Sequence, residues 1–452
     1  MDERGFVKVD PPMRVAIYPA GLAPGAAGEG AVAALHGAIR GLSPEGALVD
    51  VPGGPRQAGE RLEIALELGD GVLSCEAEVV SPSSFAAGPA GPGGVPLRFL
   101  GLSEAARARL SSLLLRHRKA DHIRICRDED VAGEGVRTGF ERYSLPHQAL
   151  PEIDKERVDL RTRIFGKILA APILISCMTG GSELARVVNS RLASAAQRLG
   201  LALGVGSQRA MLGAPELSDT YAVRDVAPDV LLFGNIGAVQ LNCGVTQEDC
   251  LRLVAAIGAD ALAVHLNPLQ EALQPEGETR FGGLKEKIAA LAATLPVPVV
   301  LKEVGSGISR EVARWVRRTS IAAVDVAGAG GTSFAKVEGY RASEPVLARL
   351  ARSFAGWGIP TADSLVACRA ELPDRLVFAS GGVRDGIDAA KAIALGADLV
   401  GIARPFLQAA TVSEEAVLQA GRFVVEGLRI AMFCSGVATL EELRSLKLER
   451  IG

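Results

Sequence analysis

From about residue 169 onward, short apolar, β-branched runs alternate with stretches of helical spacing, and eight such runs can be counted. They are Ala171–Ile175, Ala202–Gly206, Val230–Gly234, Ala261–Leu266, Val297–Lys302, Ala322–Val326, Leu376–Ala379 and Leu399–Ala403. Between the first two, Ser182 suits the N-cap of a helix whose Leu184, Val187, Val188, Leu192, Ala195 and Leu199 share one face. A helix–Gly-Ala-Asp–strand turn begins at Gly258 and again at Gly396, where glycine suits the left-handed position after a helix. Eight βα units in about 280 residues match a (β/α)8 TIM barrel in count and size. A doubly wound α/β sheet is the alternative, but the chain lacks a strand-rich start with GxGxxG. In a parallel barrel the chemistry collects where strands run into the following loops.

Those ends are polar at every strand. They read Cys177-Met-Thr-Gly-Gly181, Gly206-Ser-Gln-Arg209, Gly234-Asn-Ile-Gly237, His265-Leu-Asn-Pro-Leu-Gln-Glu271, Lys302-Glu-Val-Gly305, Gly328-Ala-Gly-Gly-Thr-Ser333, Ser380-Gly-Gly-Val-Arg384 and Ala403-Arg-Pro405. A purely structural barrel has no reason for that. Gly381-Gly382 frees backbone N–H groups, and Asp385 can start the next helix. With the turn at Ala403-Arg404 this makes the phosphate cradle common after strands seven and eight, although a plain Gly-rich turn reads the same way. Gly330-Gly-Thr-Ser333 adds hydroxyls and bare backbone. Lys302 ends a buried strand, where a lysine is either paired or set beside an anionic or electron-rich cofactor. His265 and Asn267 share one face if strand geometry persists, with Gln270 and Glu271 above them. One carboxylate among neutral polar groups fits a magnesium ion shared with substrate phosphates. A satisfied core histidine and a solvated loop acid are the plainer alternative. Ser207 and Arg209 offer an anion clamp. A basic run, Arg116-His-Arg-Lys-Ala-Asp-His122-Ile-Arg124, precedes the barrel and reads as an oligoanion site or a solvated helix end.

The front of the chain is different. Gly/Ala/Pro loops at 20–30 and 83–94 frame strand-like pieces at Ala47–Val51, Arg61–Leu68, Leu73–Val80 and Val95–Leu100. A helix follows at Ser103–Arg116, with Ser103 as N-cap. The expected domains are a flexible N-terminal segment at 1–30, a small all-β barrel at 31–116 and the TIM barrel at 117–452.

Bulk numbers exclude several classes. The 452 residues are 48% hydrophobic and 22% charged, which rules out a disordered chain. A formal charge of −3 gives no basic excess for nucleic acid. Seven cysteines with no CxxC pair argue against a disulfide framework or structural zinc. No run of about 18 apolar residues suggests a membrane span, and the acidic start does not read as a signal peptide. A reduced, cytoplasmic protein is expected.

Read together, Arg118-Lys-x-x-His122 and the strand ends from Met178 to Pro405 resemble the type 2 isopentenyl-diphosphate isomerases, which are FMN-dependent (β/α)8 barrels. The strand-four motif and Val324-Asp-Val-Ala-Gly-Ala-Gly-Gly-Thr-Ser333 are specific to that family. The resemblance implies FMN contacts at Met178, Thr179, Ser207, Asn235, Lys302 and Thr332, with the FMN phosphate against Gly381, Gly382, Arg384, Ala403 and Arg404. Arg118, Lys119, His122, Ser207, Arg209, His265 and Asn267 would hold the diphosphate and flank the substrate. Glu271 would bind magnesium. Gln270 would sit near the reacting carbons, with His265 and Lys302 completing the catalytic set. Phe334 departs from the family's common Trp.

The implied activity interconverts isopentenyl and dimethylallyl diphosphate with reduced FMN, Mg2+ and NAD(P)H as reductant. Small isoprenoid diphosphates are the expected partners, with no nucleic acid, no membrane and a homo-oligomeric assembly. Competing readings are another FMN-dependent TIM-barrel oxidoreductase and a nucleotide-responsive binding protein with a relic barrel. A 2-hydroxy-acid enzyme wants a His–Arg pair near the last strands, and an inosine-phosphate enzyme wants a cysteine after strand six; residues 327–336 contain none. A relic predicts gaps among the strand-end polar residues, and there are none. The front segment resembles PilZ-type barrels through Arg40-Gly-Leu-Ser43-x-x-Gly46. Gly41 replaces that family's acidic or amide residue and no RxxxR pair precedes it, so a degenerate domain without cyclic di-GMP binding is expected.

Overall fold

The computed structural model describes residues 7–19, 35–43, 45–51, 56–68, 71–81, 94–274, 277–342 and 344–451. The chain divides into two compact units. One comprises Met1–Asp121, Glu271–Gly277 and Glu338–Arg352; the other comprises His122–Gln270, Glu278–Val337 and Ser353–Gly452.

The first unit holds a closed antiparallel barrel of six strands. These are β1 (Val7–Pro19), β2 (Leu35–Leu42), β3 (Gly46–Asp50), β4 (Arg61–Leu68), β5 (Gly71–Val79) and β6 (Gly94–Leu100), in the order β1-β2-β3-β6-β5-β4. Strict alternation sends Leu62, Ile64 and Leu66 of β4 inward, where Val15, Ile17, Val49, Val79 and Leu97 meet them. Leu110, Leu113 and Leu114 of helix α1 (Glu104–Asp128) join that cluster. Ser103 caps α1, its Oγ accepting from Ala106 N at 3.1 Å.

Two expectations need correction. Val7–Pro19, assigned to a flexible segment, is a barrel strand paired with both β2 and β4. The boundary at 116/117 falls inside α1, which runs twelve residues past Arg116 because Ile123, Ile125 and Cys126 are buried in the second unit's core. The Gly/Ala/Pro loops at 20–30 and 83–94 lie outside the described residues, except Gly94, which opens β6.

The second unit is a closed barrel of eight parallel strands, each paired with the next in sequence and the last with the first. They are β7 (Ile173–Ile175), β8 (Ala202–Gly204), β9 (Leu232–Gly237), β10 (Ala261–Leu266), β11 (Val299–Glu303), β12 (Ala323–Asp325), β13 (Leu376–Ala379) and β14 (Leu399–Ile402). All eight sequence-expected runs are strands. The third starts two residues late and runs on, because Asn235, Ile236 and Gly237 keep pairing with β10 as far as His265.

Every strand gives one side chain to a deep apolar layer: Leu174, Ala202, Phe233, Ala261, Val300, Ala323, Phe378 and Leu399. A hairpin of Thr162–Ile164 and Lys167–Leu169 closes that end. Its tip residue Phe165 stacks edge-on to Phe233 and Phe378, with centroids 6.1 and 6.3 Å away. The opposite strand faces pack on the surrounding helices through Ile173, Leu232, Leu262, Leu301, Val324 and Val377. Among the described residues no helix is long and apolar enough to cross a membrane.

Candidate active site

Two residues further along each strand, the pleat returns to the barrel interior. Those positions are Ser176, Gly204, Asn235, Ala263, Lys302, Asp325, Ser380 and Gly401. The interior therefore changes from apolar to polar within one pleat repeat, toward the C-terminal strand ends.

Charge in this layer is confined to Lys302 and Asp325, neighbours in the β11–β12 register and both buried. Lys302 Nζ lies 3.0 Å from Asp325 Oδ2, and Ser380 Oγ donates to Asp325 Oδ1 at 2.6 Å. The lysine is thus paired, which settles how its charge is tolerated in a buried strand. Asn235 Oδ1 is 2.7 Å from His265 Nδ1. An Nδ1–H donating to that amide oxygen fixes the orientation of the ring. Burial pushes the neighbouring Cys177 thiol up, while Lys302 pulls it the other way.

Two hydroxyls at this level, Ser176 Oγ and Thr179 Oγ1, are buried with no hydrogen-bond partner in the protein. A buried hydroxyl left unpaired costs about 1–3 kcal/mol, so the mouth fits a polar ligand that satisfies them. The loop carrying Thr179 is held rigidly. Gly206 N donates to Thr179 O at 2.7 Å, and Asn189 Nδ2 donates to the same carbonyl at 3.2 Å. A Cβ on Gly180 would fall 1.8 Å from the Tyr221 ring, whose hydroxyl donates to Ser207 O at 2.8 Å. Gln208 is buried and structural, bonding Asn235 N and Leu253 O. Ser207 and Arg209 flank it, half-buried.

The glycine cradle after β12 and β13 is made by backbone contact. Gly381 has φ +101°, and a Cβ there would stand 2.2 Å from Gly328 O. Gly382 has φ +76°, and its Cβ would strike Thr138 Cγ2 at 2.4 Å. Asp385 caps the following helix, Gly386–Ala394, accepting from Asp388 N at 2.9 Å. Helix Arg404–Val412 starts at Ala403 without a side-chain cap, so its first-turn N–H groups are available to an anion. Arg384 is exposed, with Nε on Gly382 O at 3.4 Å. The Arg404 guanidinium instead donates to Cys126 O at 2.9 Å and Glu129 O at 2.7 Å, at the C-terminus of α1. Arg404 thus turns its Nε and Nη2 toward the end of α1, while its backbone N–H lies in the first turn of its own helix.

A small cleft opens over β10, β11 and β12, lined by Gln270, Glu303, Gly305, Ser306, Thr332, Phe334 and Trp357 among others. Asn267 Nδ2 donates to Gln270 Oε1 at 3.2 Å, aiming the amide. Glu303 Oε2 accepts the N–H groups of Val304, Gly305 and Ser306 at 2.6, 2.6 and 2.5 Å. Burial still pushes this carboxyl up to about 7, against the pull of those three N–H groups and Lys302. His122 meets Phe334 edge-on at 6.1 Å, so the ring at the common Trp position packs against a candidate substrate ligand.

The second unit therefore brings together Met178, Thr179, Ser207, Arg209, Asn235, His265, Asn267, Gln270, Lys302, Thr332, Gly381, Gly382 and Ala403 around the strand ends. Arg118, Lys119 and Glu271 fall in the first unit. Arg118 and His122 are one helical turn apart on α1. Glu271 follows Gln270 in the short helix Pro268–Leu273, is buried, and accepts from Gln274 Nε2 at 3.4 Å. No group of three or more His, Cys, Asp or Glu side chains suited to a metal occurs among the described residues. A lone carboxylate suits magnesium whose other ligands are phosphate and water.

Sequence reasoning missed Asp325 and the role of Ser380 as its anchor. The signal was present: an acid inside an apolar strand, at the parity of Lys302 one strand away.

Isopentenyl-diphosphate delta-isomerase of Nostoc sp. is 52% identical over 327 residues, 72% of this chain and 93% of the relative. The enzyme of the same name from Synechococcus sp. is 53% identical over 330 residues, covering 73% and 95%. The chain belongs to the isopentenyl-diphosphate delta-isomerase family. The Stutzerimonas stutzeri isopentenyl-diphosphate delta-isomerase agrees, at 50% identity over 75% of this chain and 98% of that one. The FMN-dependent dehydrogenase family pattern matches residues 272–450 of this isomerase-family chain. In fold, it is similar to mandelate oxidase crystallised with (S)-2-phenylpropionate: TM-score 0.51, 21% identity, 73% of this chain and 98% of that one. The complex of mandelate oxidase with 3,3-difluoro-2-hydroxy-3-phenylpropionic acid gives TM-score 0.51 at 20% identity.

Proposed function

We propose that this chain interconverts isopentenyl diphosphate and dimethylallyl diphosphate, moving a double bond by adding a proton at one carbon and removing one nearby. The observation that carries the reading is identity of about one half to isomerases used over 93% and 95% of their length. The polar layer at the strand ends of the second unit supports it.

FMN fits the mouth. Thr179 brings a buried hydroxyl in need of a partner, Lys302 a cation, Met178, Ser207, Asn235 and Thr332 the surrounding wall. Gly381, Gly382, Ala403 and the Arg404 backbone would take its phosphate, with Arg384 at the exposed edge. When bound and reduced by NAD(P)H, FMN supplies an electron-rich ring that exchanges protons with the alkene.

The protein's own groups hold and shield. Arg118, Lys119, His122, Ser207, Arg209, His265 and Asn267 are assigned to the diphosphate, and Glu271 to its magnesium ion. Asn235 fixes the orientation of the His265 ring through Nδ1. Gln270 is a poor acid at neutral pH, so its oriented amide serves to place the reacting carbons and keep water off them.

The small barrel is read as a degenerate PilZ-like module used for assembly or regulation. Its closed antiparallel form and the Ser43–Gly46 turn support this; Gly46 N and Glu45 N both donate to Ser43 Oγ. A homo-oligomer in the reducing cytoplasm completes the reading, consistent with seven free thiols. The test is the purified chain with FMN, Mg2+ and a reductant: double-bond migration in isopentenyl diphosphate is expected. Its absence despite bound FMN would sink the reading. Calorimetric titration of cyclic di-GMP is expected to show no binding at micromolar levels.

A further inference from the structure

The buried pair of Lys302 and Asp325 poses a question that stability does not answer. Replacing a buried ion pair by apolar side chains is often neutral or stabilising, so packing alone gives no reason to keep it. Its placement gives one. Lys302 and Asp325 lie on two consecutive strands and Ser380 directly follows the next, at the same pleat level, in the first polar layer above an apolar floor. The other five positions of that layer carry no charge: Ser176, Gly204, Asn235, Ala263 and Gly401. Asp325 is 1% exposed and Lys302 7%, so water screens neither. Ser380 anchors Oδ1 at 2.6 Å, and Oδ2 lies 3.0 Å from the ammonium as an ion pair without hydrogen-bond alignment.

We infer that Asp325 is a positioning residue: it fixes the Lys302 ammonium and supplies its counter-charge, so that the Ser380–Asp325–Lys302 chain sets the electrostatic environment of the flavin ring. This rests on the FMN reading above. A flavin beside this chain senses the sum of the two charges. With both present the sum is zero. Removing the carboxylate leaves a net cation, which favours the electron-rich reduced ring. Removing the ammonium leaves a net anion, which disfavours it. The two single substitutions therefore act with opposite sign, which a merely structural pair would not do.

The experiment is the midpoint potential of FMN bound to the full-length protein, measured at pH 6 for wild type, Asp325→Asn, Lys302→Met and the double variant. D325N is expected to favour reduced over oxidised FMN by about tenfold, a positive shift of about 30 mV for a two-electron couple. K302M is expected to shift it negatively, and the double variant to lie between. A D325N potential that stays put, or moves with the sign of K302M, overturns the assignment of Asp325. A potential unmoved by K302M sinks the placement of FMN at Lys302 instead, and the inference with it. If D325N fails to retain FMN, the double variant decides. Recovery of binding on removing the unpaired ammonium supports the pair, and no recovery refutes it.

Discussion

Two closed barrels are encoded in this chain, and they use their interiors differently. The six-stranded barrel is apolar throughout; among its described residues Ser43 is the one buried polar side chain. The eight-stranded barrel is apolar at one end and polar at the other, within a single pleat repeat. Strand direction explains the contrast. In an antiparallel barrel successive strands run opposite ways, so neither rim collects one kind of strand end. In a parallel barrel all eight C-terminal ends share a rim, and eight loops can converge on one ligand. Closure makes a scaffold in both; parallel closure also makes a site.

The sharpest way to break that comparison is to remove one group from the polar rim and one from the apolar interior. Gln270→Ala should retain FMN and lose about 10²-fold in kcat, about 3 kcal/mol of barrier, because the amide places the reacting carbons. Steady-state turnover of isopentenyl diphosphate together with the flavin absorbance checks both halves. A loss within about threefold would show that the cleft beside β10 is not the reacting face. Leu97→Ala should act in the reverse sense. Leu97 is fully buried, so truncation leaves a cavity worth about 2–5 kcal/mol in the small barrel. Thermal unfolding followed by circular dichroism should show an early transition, with turnover per bound flavin unchanged. Loss of the flavin with that early transition would mean that the two barrels do not unfold as separate units.

Much of this contrast was legible in the sequence, and the gaps have physical causes. The eight parallel strands were readable because strands buried on both faces are continuous apolar runs bounded by helices. β1 was not, because Pro11-Pro12 reads as a strand breaker. The barrel accommodates those prolines at an irregularity, where the pairing register shifts between Lys8 and Met13. β2 was hidden similarly, by a shift between Ile39 and Gly41 that makes Arg40-Gly look like a turn. The end of α1 was misplaced because a basic run resembles a solvated helix end; three further buried side chains, Ile123, Ile125 and Cys126, continue it. At the site, glycine pairs and hydroxyls following the strands announced themselves by position. Asp325 did not, since it lies inside a strand and its partner is on another one.

A buried acid also marks the polar rim in pH dependence. Glu303 ionises near 7 in the folded chain, against an ordinary 4.5, because burial outweighs three N–H donors. Between those values the native state keeps a proton that the unfolded chain has released. Stability therefore falls as pH rises from about 4.5 to 7 and is flat beyond, a loss of about 3 kcal/mol from this group. Glu303→Gln removes the titration while keeping a carbonyl oxygen for the turn. Chemical denaturation at pH 5 and pH 8 should show the wild type losing stability relative to E303Q across that window. A constant difference would mean that Glu303 stays ionised throughout.

The smallest effect tests Ser43, the one buried polar side chain among the described residues of the other barrel. Ser43 Oγ accepts from Gly46 N at 3.0 Å and from Glu45 N at 3.2 Å, closing the turn between β2 and β3. Ser43→Ala leaves two turn donors without that acceptor, which costs about 1 kcal/mol if water reaches them in its place. The expected result is a small drop in the small barrel's melting temperature with no change in isomerase turnover. The opposite pattern, intact melting with altered turnover, would be the more instructive one. It would mean that a turn in the apolar barrel reports to the polar rim, and that the division of labour between the two barrels is incomplete.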